Sequence, residues 1–151
     1  MQHKILKISG AVFGVMLILV ASGVGELAGR SAVQKFSDDV NLGAIEKAQE
    51  IAAAELRKQL PIELDEMTTL QAALSAGPAL IYIYRVHQDI GEIDVKSFSS
   101  KMQQKLFKNV CGEGILRKNM SIGAKYIYQY SSEDGIQFAH FDFDKRVCGI
   151  Q

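Results

Sequence analysis

A charge-free run of 18 residues, Ile8 to Gly25, divides this chain of 151 residues into two parts. A helix needs about 20 apolar residues to cross the ~30 Å hydrocarbon core of a bilayer, so the run lies near the lower end of the range that spans a membrane. Lys4 and Lys7 precede the run, and Glu26 and Arg30 follow it. Because positive charge stays on the cytoplasmic side, we expect the N-terminus inside the cell and the rest of the chain exported.

Residues 1–29 fit two fates, a retained signal-anchor or a cleaved signal peptide. Glycines spaced by four, at Gly10/Gly14 and Gly25/Gly29, suit a retained helix. The small residues Ala21-Ser22-Gly23 suit cleavage. We expect either a single-pass protein of the bacterial inner membrane, with its domain in the periplasm, or a soluble periplasmic protein. No cysteine follows the run, so a lipid-modified N-terminus is not expected.

Two cysteines, Cys111 and Cys148, form an even pair in a short chain. In an oxidising compartment we expect them to form a disulfide, because small exported domains depend on such cross-links. A loop of this length would contribute about 4 kcal/mol by the chain-entropy estimate. The alternative is a reduced, buried pair. Without matching histidines, the two thiols make a poor zinc site.

The charge balance excludes an obvious polyanion-binding protein. When Lys4, Lys7 and Glu26 are set aside, residues 30–151 carry 15 basic and 16 acidic groups. Nucleic-acid binding needs a concentrated basic surface, so we expect no nucleic-acid partner. The chain has neither a phosphate-binding glycine loop nor a nucleophile elbow, and we expect no cofactor and no enzymatic activity.

Hydrophobic periodicity predicts two principal helices. Residues 41–60 place Ile45, Ala48, Ala52 and Leu56 on one stripe, with Asn41 as the cap and Pro61 as the stop. A second helix is expected after the cap Asp94 and ends at Cys111. Its buried stripe comprises Val95, Phe98, Met102 and Leu106. A short helix or turn is expected before Gly123.

Two stretches predict β-hairpins. In TTLQAALSAGPALIYIYRVH the turn is Ala76-Gly77-Pro78, and in AKYIYQYSSEDGIQFAHFDF it is Asp134-Gly135. The order of elements predicts an α+β fold: a mainly antiparallel four-stranded sheet with helices on one face and one disulfide. We assign residues 30–40 to a polar stalk and residues 41–151 to a single α+β periplasmic domain.

From about Leu60 to Cys148 the chain resembles a family of small exported bacterial proteins of unknown function. The resemblance rests on LPIELDEMTTL, IYIYRV, SIGAKYIYQYSSEDGI, the helix ending at Cys111, and Cys148, which together span about three-fifths of the chain. It implies an exported location and a disulfide, not an activity. The outline is also similar to the pilotins of secretion systems, although pilotins usually carry a lipid-modified cysteine that this chain lacks.

Five tyrosines make the most interesting candidate binding site. If the two hairpins lie side by side, the rings of Tyr82, Tyr84, Tyr126, Tyr128 and Tyr130 can form a docking face. The alternative is ordinary cross-strand packing. Three polar groups could also carry chemistry, but each has a simpler interpretation. His140, Asp142 and Asp144 alternate along a strand and are expected to be a solvated sheet edge. His87 is expected to be an ordinary strand residue, and the acidic cluster Glu63, Asp65 and Glu66 a solvated connecting loop.

These features favour a non-enzymatic, membrane-anchored envelope protein. We expect it to be tethered by its N-terminal helix and to bind another envelope protein through the exposed sheet face or the helix at residues 41–60. One alternative is a periplasmic immunity or inhibitor protein that neutralises a toxin. A small hydrolase or metal-dependent enzyme is the other.

Overall fold

The structure is a computed structural model that describes residues 42–151. Three α-helices cover one face of a five-stranded sheet in these residues, so the α+β class and the one-sided helical layer are confirmed. The N-terminal segment 1–29, the stalk 30–40 and the cap Asn41 lie outside the described residues, and these predictions stay predictions. Between residues 42 and 151, no helix is long and apolar enough to cross a membrane.

The elements follow one another in a simple order. They are α1 (Leu42–Arg57), β1 (Ile62–Asp65), β2 (Thr68–Ala76), β3 (Ala79–Val86), a 3-10 turn (Ile90–Glu92), α2 (Val95–Cys111), α3 (Ile115–Ser121), β4 (Lys125–Ser131) and β5 (Gln137–Phe143). Both predicted hairpin turns are present. Gly77 and Gly135 adopt φ of +54° and +84°, a left-handed backbone that glycine adopts without a steric penalty.

Helix α1 packs on the sheet through a stripe that differs from the prediction at one position. Ile45, Ala52 and Leu56 are buried as expected, but Ala48 is exposed and Gln49 takes its place. Gln49 is tolerated in the core because its Nε2 donates a hydrogen bond to the Pro78 carbonyl at 3.3 Å. This bond fixes the first half of α1 beside the β2–β3 turn.

The sheet has the strand order β1-β2-β3-β4-β5, and it is mainly antiparallel as predicted, with one parallel pair at its centre. Strands β3 and β4 are parallel, with Tyr82 opposite Tyr128 and Tyr84 opposite Tyr130. The chain leaves β3, passes through α2 and α3, and re-enters the sheet in the same direction. Such a crossover produces a parallel pair. The other three pairings are antiparallel.

Strand β1 is the fifth strand, which the sequence prediction did not include. The prediction placed the acidic cluster Glu63, Asp65 and Glu66, next to Pro61, on a connecting loop. Instead, Glu63 pairs with Thr69 and Asp65 pairs with Thr68 on β2. The strand is short and contains a register shift, both of which are common at protected sheet edges.

The disulfide between Cys111 and Cys148 is confirmed. It joins the last residue of α2 to the segment after β5, with Cα atoms 5.0 Å apart and a sequence separation of 37. Arg117 supports the same junction, since its Nη1 donates to the Cys111 carbonyl at 3.0 Å and to the Cys148 carbonyl at 3.2 Å. The disulfide and the guanidinium together hold the C-terminal segment against the helical layer.

Candidate docking surface

The five tyrosines meet as the sequence predicted, in a single cluster on β3 and β4. The rings of Tyr82 and Tyr128 stack with centroids 5.0 Å apart, and those of Tyr84 and Tyr130 stack at 4.8 Å. Phe98 of α2 meets Tyr130 edge-on at 5.2 Å. Offset and edge-on pairs at these separations are the favourable arrangements of aromatic rings.

The cluster lies beneath the helices, which corrects the prediction of an exposed docking face. All five tyrosines are buried, and Tyr128 and Tyr130 are completely inaccessible to solvent. Burial raises the pKa of every one of these phenols above its ordinary value, and neighbouring phenols or the Asp65 carboxylate raise it further for four of them. The rings therefore form the core, and a change such as Tyr128→Ser would damage the fold as well as any binding.

Replacing Tyr128 with phenylalanine is expected to leave the stability unchanged or to raise it by about 1 kcal/mol. The Tyr128 hydroxyl is buried without a hydrogen-bond partner, so its removal relieves a desolvation penalty and opens no large cavity. Tyr126→Phe is the matched control, because the Tyr126 hydroxyl accepts a hydrogen bond from Asn119 at 3.0 Å and its loss should destabilise. Urea denaturation measures both. A Tyr128→Phe protein less stable than Tyr126→Phe would contradict this description.

The opposite face of the sheet carries no helix in the part of the chain that the structure describes. Its side chains form rows across the strands, fixed by register. One row joins Leu74, Ile81, Ile127 and Asp142, the next Ala72, Ile83, Gln129 and His140, and a third Glu63, Thr69, Arg85 and Ser131. We call this surface the open face.

The open face is apolar at one end and polar at its borders. Leu74 is 44% exposed, while Ile81, Ile83 and Ile127 are half-buried and take no part in the hydrophobic core. These four side chains form the apolar strip, which crosses β2, β3 and β4. Three large branched side chains and a leucine on an uncovered sheet surface indicate a contact surface.

Polar residues of β5 border the apolar strip. His140 Nε2 lies 2.9 Å from Asp142 Oδ1, and both side chains are substantially exposed. Asp144 belongs elsewhere, because its carboxylate accepts hydrogen bonds from the backbone amides of Val147 and Arg146, which lower its pKa. The three residues do not converge. Among the described residues, no group of three His, Cys, Asp or Glu side chains could hold a metal ion.

His87, expected to be an ordinary strand residue, links three elements. Its Nε2 lies 2.7 Å from the Thr69 hydroxyl, and its Nδ1 lies 3.1 Å from a carboxylate oxygen of Glu133. The Glu133 amide also donates to the Gln88 carbonyl at 2.9 Å. These bonds tie the β4–β5 loop to the end of β3. The sequence carries no local signal for them, because the partners are 18 and 46 residues away.

No protein-family model matches the chain, and no curated protein is significantly similar to it. Solved structures do share its fold. One is a candidate secreted protein from Pseudomonas aeruginosa, which is 21% identical, with a TM-score of 0.59 over 70% of this chain and 93% of that chain.

Two further structural neighbours are pilotins of type II secretion systems. AspS from Vibrio cholerae is 19% identical, with a TM-score of 0.56 over 71% of this chain and 94% of its own. EpsS from Vibrio vulnificus is 17% identical, with a TM-score of 0.58 over 72% and 94%. The predicted likeness to a secreted bacterial protein and to pilotins is therefore confirmed at the level of the fold.

Proposed function

We propose that this protein is a non-enzymatic accessory module of the bacterial cell envelope, exported from the cytoplasm, that binds a component of a secretion system through its open face. The apolar strip carries the proposal, because it is an apolar surface with no helix over it in residues 42–151. The shared fold with two pilotins supports the assignment to secretion. The N-terminal segment 1–29 is the proposed tether to the membrane.

The occupant of the open face that we propose is an amphipathic helix of the partner. Strands are spaced about 4.8 Å apart, so the three strands of the strip span about 10 Å, which matches the diameter of a helix. Helices already cover the other face of this sheet, and a second helical layer would complete an arrangement common in α/β proteins. Leu74, Ile81 and Ile127 would meet apolar residues spaced by three and four along that helix.

Charge at the border gives the partner helix an orientation. Asp142 ends the row of Leu74, Ile81 and Ile127, and its carboxylate is largely exposed. A lysine or arginine one turn beyond the apolar anchors of the partner would pair with it. Rim charges of this kind fix register and partner choice more than they raise affinity.

Leu74→Asp is expected to abolish recovery of the partner, while Ile51→Asp leaves it unchanged. The two positions are matched in exposure, 44% and 42%, but Ile51 lies on α1 on the other side of the sheet. A charge buried against an apolar helix costs several kcal/mol at an interface, enough to reduce binding at least tenfold. The measurement is affinity purification of the full chain from its own cells, followed by mass spectrometry of the envelope components recovered.

Circular dichroism confirms that each variant is folded before recovery is compared. Equal recovery of a secretion component by the Leu74→Asp and Ile51→Asp proteins would refute the open face as the docking surface. Recovery that depends on Ile51 alone would transfer the role to α1, the other surface that the sequence suggested.

A further inference from the structure

We propose that α2 and α3 form a second contact surface, distinct from the open face, that rests on an anionic lipid bilayer. The surface comprises the solvent-facing side chains of these two helices and lies on the opposite side of the sheet from the apolar strip. Its basic charge and its exposed apolar side chains together identify the occupant. The inference does not depend on the proposed function of the open face.

The positive charge of the protein is concentrated on these helices. Residues 95–121, which form α2, α3 and the link between them, contain six lysines and arginines and one acidic residue, Glu113, although the chain as a whole is neutral. Helix α2 carries four lysines and no acid. Helix α1 differs, because it carries three glutamates beside one lysine and one arginine, and Lys47 pairs with Glu50 at 2.8 Å. The basic surface is thus a property of α2 and α3. The net charge of the whole chain gives no sign of it.

Exposed apolar side chains lie among these lysines. Phe107 of α2 is 48% exposed, one residue before Lys108. On α3 and its C-cap, Ile115, Lys118 and Ile122 are spaced by three and four and are all exposed, so they share the outer side of the helix. A basic site that binds a soluble acidic partner would not require this apolar stripe. Lysines interleaved with large apolar residues are typical of helices that lie in the headgroup region of anionic membranes.

Acidic groups at the far end of α2 orient the surface. Asp94 caps the N-terminus of α2, and Asp134 accepts a hydrogen bond at 3.2 Å from the amide of Ile90, in the 3-10 turn that precedes this helix. Other carboxylates at this end belong to Asp89, Glu92 and Glu133. At a rise of about 1.5 Å per residue, α2 places Asp94 about 20 Å from Phe107 and about 25 Å from the disulfide. Anionic headgroups would repel the acidic end and attract the basic end, so the domain would meet the bilayer with α3 and the C-terminal half of α2.

A tryptophan probe tests the contact, since the chain contains no tryptophan. The full chain with Phe107→Trp is reconstituted into vesicles of phosphatidylcholine with or without phosphatidylglycerol, and brominated lipids serve as quenchers. We expect a blue shift and strong quenching only in the anionic vesicles, both reversed by high salt. The matched control is Leu74→Trp, 44% exposed on the open face, which should keep solvent-like emission in both vesicles.

Replacing Lys108 and Lys118 with glutamine in the Phe107→Trp protein should reduce quenching to the level in neutral vesicles, with an unchanged circular dichroism spectrum. Equal quenching at Phe107 in neutral and anionic vesicles would overturn the proposal. So would a probe that responds to an added acidic polypeptide but not to brominated lipid, because the partner would then be an acidic protein. Failure of this test leaves the Leu74→Asp experiment unaffected.

Discussion

Raising the pH above about 10 is expected to unfold this protein in one steep transition, in which all five tyrosines ionise together. The chain has no tyrosine outside the buried cluster. Burial raises the pKa of each phenol in the folded state, whereas an unfolded chain loses these protons near pH 10. Below that pH both states keep the protons. Above it the unfolded state alone releases them, and the free energy of unfolding falls.

Five protons make the effect large, up to about 7 kcal/mol per pH unit. Ultraviolet absorbance of tyrosinate, recorded with circular dichroism, follows the transition. Tyrosinate should appear only as the secondary structure is lost. The Tyr128→Phe protein is the control, because it has four phenols and its stability should fall about one-fifth less steeply. Ionisation near pH 10 with an intact circular dichroism spectrum would show that the tyrosines are exposed.

Replacing both Cys111 and Cys148 with alanine is expected to lower the free energy of unfolding by about 4 kcal/mol, since the disulfide closes a loop of 37 residues. Small domains are stable by only about 5–15 kcal/mol, so this is a large share of the total. Urea denaturation of the oxidised protein and the double variant measures it. A reductant should shift the midpoint of the native protein and leave the variant unchanged.

The effect should be largest near the C-terminus, where the disulfide and Arg117 hold the same segment. Hydrogen exchange in the double variant should increase for residues 144–151 more than for β3. An equal midpoint for the native protein with and without reductant would contradict the stabilising role of the disulfide.

Local signals predicted most of the elements of this fold. The 3.6-residue period located α1 and α2, and the Asp94 cap is confirmed by its acceptance of the Ser97 amide at 2.9 Å. Asp134-Gly135 located the second hairpin. The parallel pairing of β3 and β4 was not predictable, because strand order depends on where the α2–α3 crossover returns the chain.

The candidate site was harder to predict, because β3 is apolar on both faces. IYIYRV places isoleucines on one side and tyrosines on the other, and hydrophobicity alone favours burial of isoleucine. The structure shows the opposite. Helices α1 and α2 cover the tyrosines, and Ile81 and Ile83 lie on the open face. Tyrosine in the core and isoleucine on the open face therefore follow from tertiary packing alone.

The most direct test of the docking role is photo-crosslinking from Ile81 in living cells. A photoreactive amino acid at position 81 of the full chain should yield one discrete adduct, and its peptide should map to a helix of a secretion-system component with apolar residues spaced by three and four. The same amino acid at position 51 should yield none. An adduct formed from position 51 alone, or a crosslink from position 81 to residues 30–41 of the same chain, would contradict the account.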